Sequence, residues 1–132
     1  NYLKSRSSKQ VEFKFQTVNN EIFIDLNLQL YSWVIENLVK NAIDAMKGKG
    51  QISLAINEDE KNVSITIKDS GKGISKNLQQ KIFSPGYTTK KRGWGLGLSL
   101  AKIIIQDYHN GKLAVLLAEL KKGTTFLITL KK

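Results

Sequence analysis

Three polar side chains, Asn37, Asn41 and Asp44, follow one another at intervals of four and three residues. In an α-helix this spacing places them on a narrow arc of one face, where they can converge on one ligand. A carboxamide oxygen is a hard ligand suited to Mg²⁺, which takes few protein groups and otherwise keeps water and substrate phosphates. The simpler interpretation is a solvated stripe that also contains Glu36 and Lys40, and the helix alone favours neither.

A second candidate is the segment DSGKGI, residues 69–74, directly after an apolar strand pattern. The Asp69 carboxylate can accept a hydrogen bond from an exocyclic amine such as that of adenine, and the glycines let the backbone pass close to a flat ring. Asp and Gly also dominate turns for conformational reasons alone. Taken by itself, the segment favours the turn interpretation.

A third candidate is the glycine run Gly93, Gly95 and Gly97, which opens a helical pattern after the basic triplet at 90–92. Free N–H groups and the helix dipole favour phosphate at such a start, and the triplet offers charge to phosphate oxygens. The run is neither a Walker loop nor the GxGxxG fingerprint, which excludes two common nucleotide folds. The simpler interpretation of the triplet is a solvated charge run.

These residues need a scaffold, and the chain predicts one of separated strands and helices. Period-two patterns predict strands, and a wide apolar arc at period 3.6 predicts helices. The strands are expected at 11–17, 22–25, 51–56, 63–68, 112–119 and 123–130, the first two as a hairpin, and the helices at 27–46, 77–83 and 97–109. This order predicts an α+β sandwich, with a mixed, mostly antiparallel sheet covered on one face by helices. The Gly-, Lys- and Thr-rich stretch from 84 to 95 predicts a mobile loop.

Size and charge limit the function classes. The 132 residues predict one domain, residues 10–132, after a polar linker at 1–9. The chain has no cysteine, no exported leader and no apolar run of the roughly 18 residues that span a bilayer, so we expect a cytoplasmic setting. Its net charge of +10 favours an anionic partner. The basic residues are spread along the chain, whereas a nucleic-acid site gathers them on one patch.

Five motifs in order resemble those of a known superfamily. They are ENLVKNAIDAM, DSGKGI, KIFSPGYTTK, GWGLGLSLAKIII and GTTF. They are similar to the N box, first glycine box, F box, second glycine box and closing Gly-Thr element of the GHKL nucleotide-binding superfamily, most of all in bacterial sensor histidine kinases. The resemblance covers about residues 10–130. It implies the Bergerat fold, a two-layer α/β sandwich that holds ATP between its helices and a flexible lid.

The resemblance also implies roles for residues around the base and the metal. Asn41 resembles the family's Mg²⁺ ligand, with Asn37 near the phosphates, and Asp69 resembles the adenine-reading carboxylate. Thr124 resembles the threonine that supports the adenine contact through water, and Phe83 the residue that anchors the lid. The other residues that the resemblance places around ATP are Asp44, Gly71, Gly73, Ile74, Thr89, Lys90, Arg92, Gly93, Gly95, Leu96, Gly97 and Leu98.

Catalysis would fall to Glu36 and Lys90 by the same resemblance, with Lys90 and Arg92 reaching the terminal phosphate. Chaperone and mismatch-repair members of the superfamily carry a hydrolytic glutamate where Asn37 stands. Glu36 is the neighbouring carboxylate, but one residue turns it about 100° around the helix. The resemblance therefore favours a kinase over an ATPase.

A domain of this family donates the γ-phosphate of Mg²⁺-ATP to a histidine on a separate dimerisation and phosphoacceptor domain. A response regulator receiver domain would take the phosphate next, and the parent is expected to be a homodimer, free in the cytoplasm or anchored in the inner membrane. The one histidine, His109, is predicted in the last turn of a helix, not on the upstream helical hairpin of the family's acceptor. We expect no autophosphorylation by this chain alone.

Two alternatives stay open at the level of the sequence. A GHKL ATPase that uses hydrolysis for conformational change would turn ATP over steadily, and loss of turnover on Glu36→Ala would favour it. A basic nucleic-acid-binding module would bind DNA in a salt-sensitive way that ATP leaves unchanged. The resemblance leads us to expect no nucleic-acid partner.

Overall fold

A computed structural model describes residues 11–16, 27–79, 81–84, 97–108 and 110–132. It contains five strands, two α-helices and shorter helical turns within those residues. They are β1 (Val11–Gln16), α1 (Leu28–Ala45), β2 (Gly50–Glu58), β3 (Asn62–Asp69), two 3₁₀ turns (Lys76–Leu78 and Lys81–Phe83), α2 (Gly97–Ile103), a π-helical turn (Ile104–Tyr108), β4 (Lys112–Glu119) and β5 (Gly123–Lys131). The predicted α+β class is confirmed.

The five strands form one sheet in the order β1-β2-β3-β5-β4. β1 pairs with β2 in parallel, and the other three pairs are antiparallel, so the predicted mixed, mostly antiparallel sheet is confirmed. Parallel neighbours need a crossover connection, and α1 lies in the chain between them. The strand predicted at 22–25 lies outside the described residues.

One face of the sheet carries the core. Leu54, Ile67 and Phe126 stand opposite one another on neighbouring strands and pack in the core. On the next row Ser53 pairs with Lys68, and these polar residues belong to the opposite face because side chains alternate along a strand. α1 covers the apolar face with five buried side chains, Val34, Ile35, Leu38, Val39 and Ala42. Burial of each of the Val, Leu and Ile side chains stabilises the fold by about 1.5–3 kcal/mol.

α1 has sequence-encoded ends. Asn27 is its N-cap, and the backbone N–H of Leu30 donates to the Asn27 side-chain oxygen at 3.1 Å. After Met46 the chain leaves the helix through Lys47 and Gly48, both with positive φ. The helix therefore fits the predicted range 27–46, which fixes the polar arc on its surface. Within the described residues no helix is long and apolar enough to cross a membrane.

Two predicted helices differ from the structure. The short helix predicted at 77–83 is instead the two 3₁₀ turns, of which only Ile82 is buried, because so short a stretch cannot repay helix nucleation. The helix predicted at 97–109 is α-helical only to Ile103. A π-helical turn follows, and Ile104 and Ile105 within it are buried in the core. Residues 1–10, most of the predicted loop at 84–95, and His109 lie outside the described residues.

Candidate nucleotide site

Asp69, the last residue of β3, is an almost fully buried carboxylate with 3% of its surface exposed. The backbone N–H groups of Gly71 and Thr124 both donate to its Oδ1, at 2.8 and 3.3 Å. Within the described part of the chain no hydrogen bond reaches Oδ2. Burial raises the pKa of the Asp69 carboxyl, and the two N–H groups act against that rise. The result is a buried carboxylate at the end of a central strand, with its Oδ1 positioned by two backbone hydrogen bonds.

The Asp69 loop, residues 69–74, is held from two sides by backbone contacts. On one side the N–H of Lys72 donates to the carbonyl of Ala45 at 3.2 Å, and a Cβ at Gly71 would lie 2.8 Å from the carbonyl carbon of Ala45. On the other side the N–H of Lys121 donates to the carbonyl of Lys72 at 2.8 Å. The loop therefore lies between the end of α1 and the β4–β5 turn, residues 119–123.

Gly73 makes this close packing possible. Its φ is +74°, a conformation that side-chain-bearing residues rarely adopt, and a Cβ there would collide with the carbonyl oxygen of Glu119. At the far end of the same turn, a Cβ at Gly123 would collide with the carbonyl oxygen of Asp69. The Asp69 loop and the β4–β5 turn thus fit together only because both positions lack side chains.

The polar arc of α1 meets the start of α2. A Cβ added at Gly97 would lie 2.8 Å from Oδ1 and 2.9 Å from Nδ2 of Asn37, so the Asn37 amide packs directly on that glycine. Asn41, one turn further along α1, is half-buried, and Asp44 is exposed. Glu36 is half-buried beside Asn37. The polar arc of α1 and the glycine that opens α2, about 60 positions apart in the sequence, are therefore neighbours in the fold.

Phe83 ties the segment after the Asp69 loop to the sheet. Its ring meets that of Phe126 on β5 edge to face, with centroids 6.2 Å apart and planes at 83°. The ammonium of Lys102 on α2 lies 4.9 Å from the Phe83 ring centroid. Phe83 was predicted as an anchor, whereas nothing in the sequence points to Lys102, because the two residues come together only in the folded chain.

The structure thus assembles two groups of predicted residues. The first group contains Asp69, Gly71, Gly73 and Thr124. The second group contains Asn37 and Gly97. Ile74 is half-buried, with its carbonyl accepting from Nε2 of Gln79 at 3.3 Å, and Leu98 packs half-buried on the core. The predicted phosphate-side residues Thr89, Lys90, Arg92, Gly93, Gly95 and Leu96 lie outside the described residues.

A residue that was not predicted to act, Ser70, supports the Asp69 loop from the β2 side. Its hydroxyl accepts from the backbone N–H of Gln51 at 3.0 Å and contacts Sδ of Met46 at 3.4 Å. Its position next to Asp69 in the motif is the one signal that could have singled it out. Among the described residues no group of three or more His, Cys, Asp or Glu side chains is placed to hold a metal ion.

Comparison with known proteins agrees with this geometry. Residues 28–132 match the family model described as Histidine kinase-, DNA gyrase B-, and HSP90-like ATPase. The chain belongs to this ATPase family. The match begins with the first residue of α1 and includes all of the Asp69 loop, α2 and the β4–β5 turn, so every described contact of the candidate site lies within it.

Curated proteins similar to this chain include bacterial kinases. The chain is 37% identical over 113 residues to sporulation kinase A of Bacillus subtilis, covering 86% of this chain and 18% of that protein. It is 35% identical over 124 residues to sensor histidine kinase ZraS of Escherichia coli, covering 94% of this chain and 26% of that protein. The chain therefore spans about a fifth to a quarter of the length of these relatives.

Solved structures show the same fold. The catalytic domain of histidine kinase ThkA superposes with a TM-score of 0.83 and 35% identity, over 93% of this chain and 81% of that one. ThkA is also known in complex with the response regulator protein TrrA, where 92% of this chain matches 34% of the kinase chain, with 32% identity and a TM-score of 0.78. The chain is an ATP-binding catalytic domain of the histidine-kinase type.

Proposed function

We propose that this chain binds Mg²⁺-ATP and donates its γ-phosphate to a histidine on a separate dimerisation and phosphoacceptor domain. The observation that carries the proposal is the buried Asp69 carboxylate, whose Oδ1 is fixed by two backbone N–H groups while Oδ2 receives no hydrogen bond from the described residues. Such an oxygen suits the exocyclic amine of adenine. Guanine carries a carbonyl at that position, so two acceptors would face each other and GTP would be rejected.

The phosphate side of the site uses α1 and α2. Asn37 lies against Gly97, so its amide is placed where the two helices meet, and Asn41 follows one turn later. A carboxamide oxygen suits Mg²⁺, because this ion needs few protein ligands when substrate phosphates and water complete its shell. When bound, Mg²⁺ would neutralise charge on the phosphate oxygens. Lys90 and Arg92 are proposed to approach the terminal phosphate, and Thr89, Gly93, Gly95 and Leu96 to surround the phosphate chain.

The step itself demands little covalent chemistry from the protein. Phosphoryl transfer depends mainly on positioning and on stabilising charge. Asn37 cannot take a proton as a carboxylate would, so it does not activate water. Glu36 is proposed as the carboxylate that acts toward the incoming histidine. The residues around ATP are therefore proposed to position it for attack by a histidine from another domain.

The proposed partners of this chain are inferred from its relatives, which are much longer than the matched region. Sporulation kinase A and ZraS extend far beyond the matched region. We infer that the parent supplies the histidine-bearing domain, forms a homodimer and works in the cytoplasm, free or anchored in the inner membrane. A response regulator receiver domain is the proposed next acceptor, in line with the complex of ThkA with TrrA. His109 is not proposed as an acceptor.

The nucleotide site is tested by titration calorimetry with ATP and GTP, with and without Mg²⁺. Hydrogen bonds to charged groups contribute about 1.5–3 kcal/mol, so Asp69→Asn is expected to weaken ATP binding by roughly 10- to 150-fold. Asn41→Ala should weaken binding only when Mg²⁺ is present. Asp59→Asn, an exposed change in the β2–β3 turn, is the matched control and should bind like the wild type. Equal competition by GTP, or full affinity in Asp69→Asn, would show that the site is wrongly assigned.

Phosphotransfer is tested with radiolabelled ATP. The chain alone is expected to form no acid-labile, base-stable phosphohistidine, and adding the parent's histidine-bearing domain should produce it on that domain. Label on the isolated chain would contradict the proposal. Steady release of phosphate that Glu36→Ala abolishes would instead identify an ATPase.

A further inference from the structure

Lys102 of α2 contacts the ring of Phe83, and the proposed function assigns no role to this contact. Its side chain is half-buried, and its ammonium lies 4.9 Å from the centre of the Phe83 ring, within the roughly 6 Å at which a cation is attracted to an aromatic face. A lysine that only solvated the surface would extend into water. This one packs its stem on the protein and places its charge over a ring.

Phe83 connects Lys102 to the sheet. The same ring meets Phe126 edge to face, and Phe126 stands on β5 two residues from Thr124, whose N–H donates to Asp69. Lys102, Phe83 and Phe126 therefore form a continuous row from α2 to the strand that supports the proposed base site. Each step in the row is a side-chain contact between different elements.

α2 needs such a contact because it is short. Its α-helical part has seven residues, Gly97–Ile103, and a helix of that length is not stable by itself. Ala101 is fully buried and Ser99 nearly so, which holds the helix to the core. Leu100 and Ile103 are more than 40% exposed. Lys102 adds a contact that joins α2 to Phe83.

We propose that Lys102 is a positioning residue for nucleotide binding, which acts through Phe83 to hold α2 against Asn37. The inference rests on the proposed function, because the position of α2 matters only if nucleotide phosphates lie beside it. The pair forms before nucleotide arrives. Its loss therefore lowers the fraction of molecules with α2 in place, and the apparent affinity falls by that fraction.

The test is a double-mutant cycle read out by calorimetry with a non-hydrolysable ATP analogue. Lys102→Met keeps the stem and removes the charge, and Phe83→Leu keeps an apolar side chain and removes the ring. We expect Lys102→Met to weaken binding by roughly two- to fivefold, the effect of a cation–π contact of about 0.5–1 kcal/mol. In the Phe83→Leu background the same change should have no further effect.

The conservative variant separates positioning from a general loss of stability. Arginine also places its charge over aromatic rings, so Lys102→Arg should restore wild-type affinity. With the histidine-bearing domain present, Lys102→Met should raise KM for ATP and leave kcat at saturating ATP unchanged. Lys112→Met, an exposed change on β4, is the control for the loss of one positive charge and should leave KM unchanged.

Three results would overturn the inference. They are wild-type affinity in Lys102→Met, equal effects of that change with and without the Phe83 ring, and no rescue by arginine. If Phe83→Leu does not fold, the comparison of methionine with arginine at 102 still decides. Failure of the proposed function looks different, because the wild-type chain would then bind no ATP analogue. Loss of binding in Asp69→Asn with full binding in Lys102→Met would refute this inference alone.

Discussion

Asp69 is both ionisable and buried, and burial disfavours its charged form. A carboxylate buried at the end of a central strand costs free energy, and here the cost is reduced by two backbone N–H groups. An asparagine could accept the same two hydrogen bonds through its side-chain oxygen without carrying a charge. The charge of the acid therefore does not stabilise the fold, which supports the proposed role of Asp69 in binding adenine.

The buried carboxyl of Asp69 predicts how the stability of the chain depends on pH. Because the pKa of Asp69 is raised above its ordinary 3.8, the folded chain holds that proton more tightly than the unfolded chain. The stabilisation is complete below the ordinary value and is lost as pH rises through the raised pKa. Asp69→Asn should thus gain stability relative to the wild type as pH rises through the raised pKa of the Asp69 carboxyl.

Urea unfolding from pH 2.5 to pH 8 measures this difference, because the scan then includes the pH region below the ordinary pKa of both aspartates. Asp59→Asn is the opposite case, because backbone N–H groups of Lys61 and Asn62 lower the pKa of Asp59. The stability that this carboxylate contributes is present above the ordinary pKa and is lost as pH falls through the lowered one. A constant gap between Asp69→Asn and wild type across the range would contradict the raised pKa.

Gly73 gives a second prediction at the residue scale. Alanine there must adopt a φ of +74° and would press its Cβ onto the carbonyl of Glu119. We expect Gly73→Ala to lower the free energy of unfolding by about 1–3 kcal/mol and to weaken ATP binding as the Asp69 loop shifts. Gly48→Ala, at a φ of +76°, measures the backbone strain away from this loop and should cost stability without affecting affinity. Melting curves and calorimetry on both variants provide the comparison.

At the scale of elements, local patterns and distant contacts divide what could be predicted. α1 was predictable from Asn27 to Met46, because its cap, apolar arc and glycine stop are all local signals. The DSGKGI segment by itself favours a turn, and the acceptor role of Asp69 was predicted only through the resemblance to the family. The N–H of Thr124 that fixes the carboxylate could not be predicted, since that contact joins residues 55 positions apart through the register of β3 and β5. The contact of Lys102 with Phe83 is hidden for the same reason.

The end of α2 shows a different limit. Isoleucines at 103, 104 and 105 predict a continuing helix, and an α-helix spreads three consecutive side chains over about 200° of its circumference. The structure buries Ile104 and Ile105, leaves Ile103 44% exposed, and continues after Ile103 as a π-helical turn instead of an α-helix. The apolar periodicity of the sequence carries no signal for this change of helix type.

For the whole molecule, the net charge of +10 gives a prediction about the alternative function. A basic chain attracts polyanions through its overall field, and such binding weakens steeply with salt. We expect any DNA binding to disappear at moderate salt, while ATP binding persists because it depends on the buried Asp69. Fluorescence anisotropy with a labelled duplex measures DNA binding and calorimetry with ATP measures nucleotide binding, each at rising salt and with Asp69→Asn as well as the wild type. DNA binding that survives high salt would favour the nucleic-acid module.

The β4–β5 turn also sets a rule for changes in chain length. Exposed hairpin turns usually accept added residues, which makes them common places for tags and for natural insertions. Here Lys121 bonds to Lys72, and Gly73 and Gly123 interlock two distant segments, so an insertion would push the Asp69 loop out of place. The length of this turn is therefore as constrained as the identity of the aspartate that it supports. Labels and fusion points belong elsewhere on the surface.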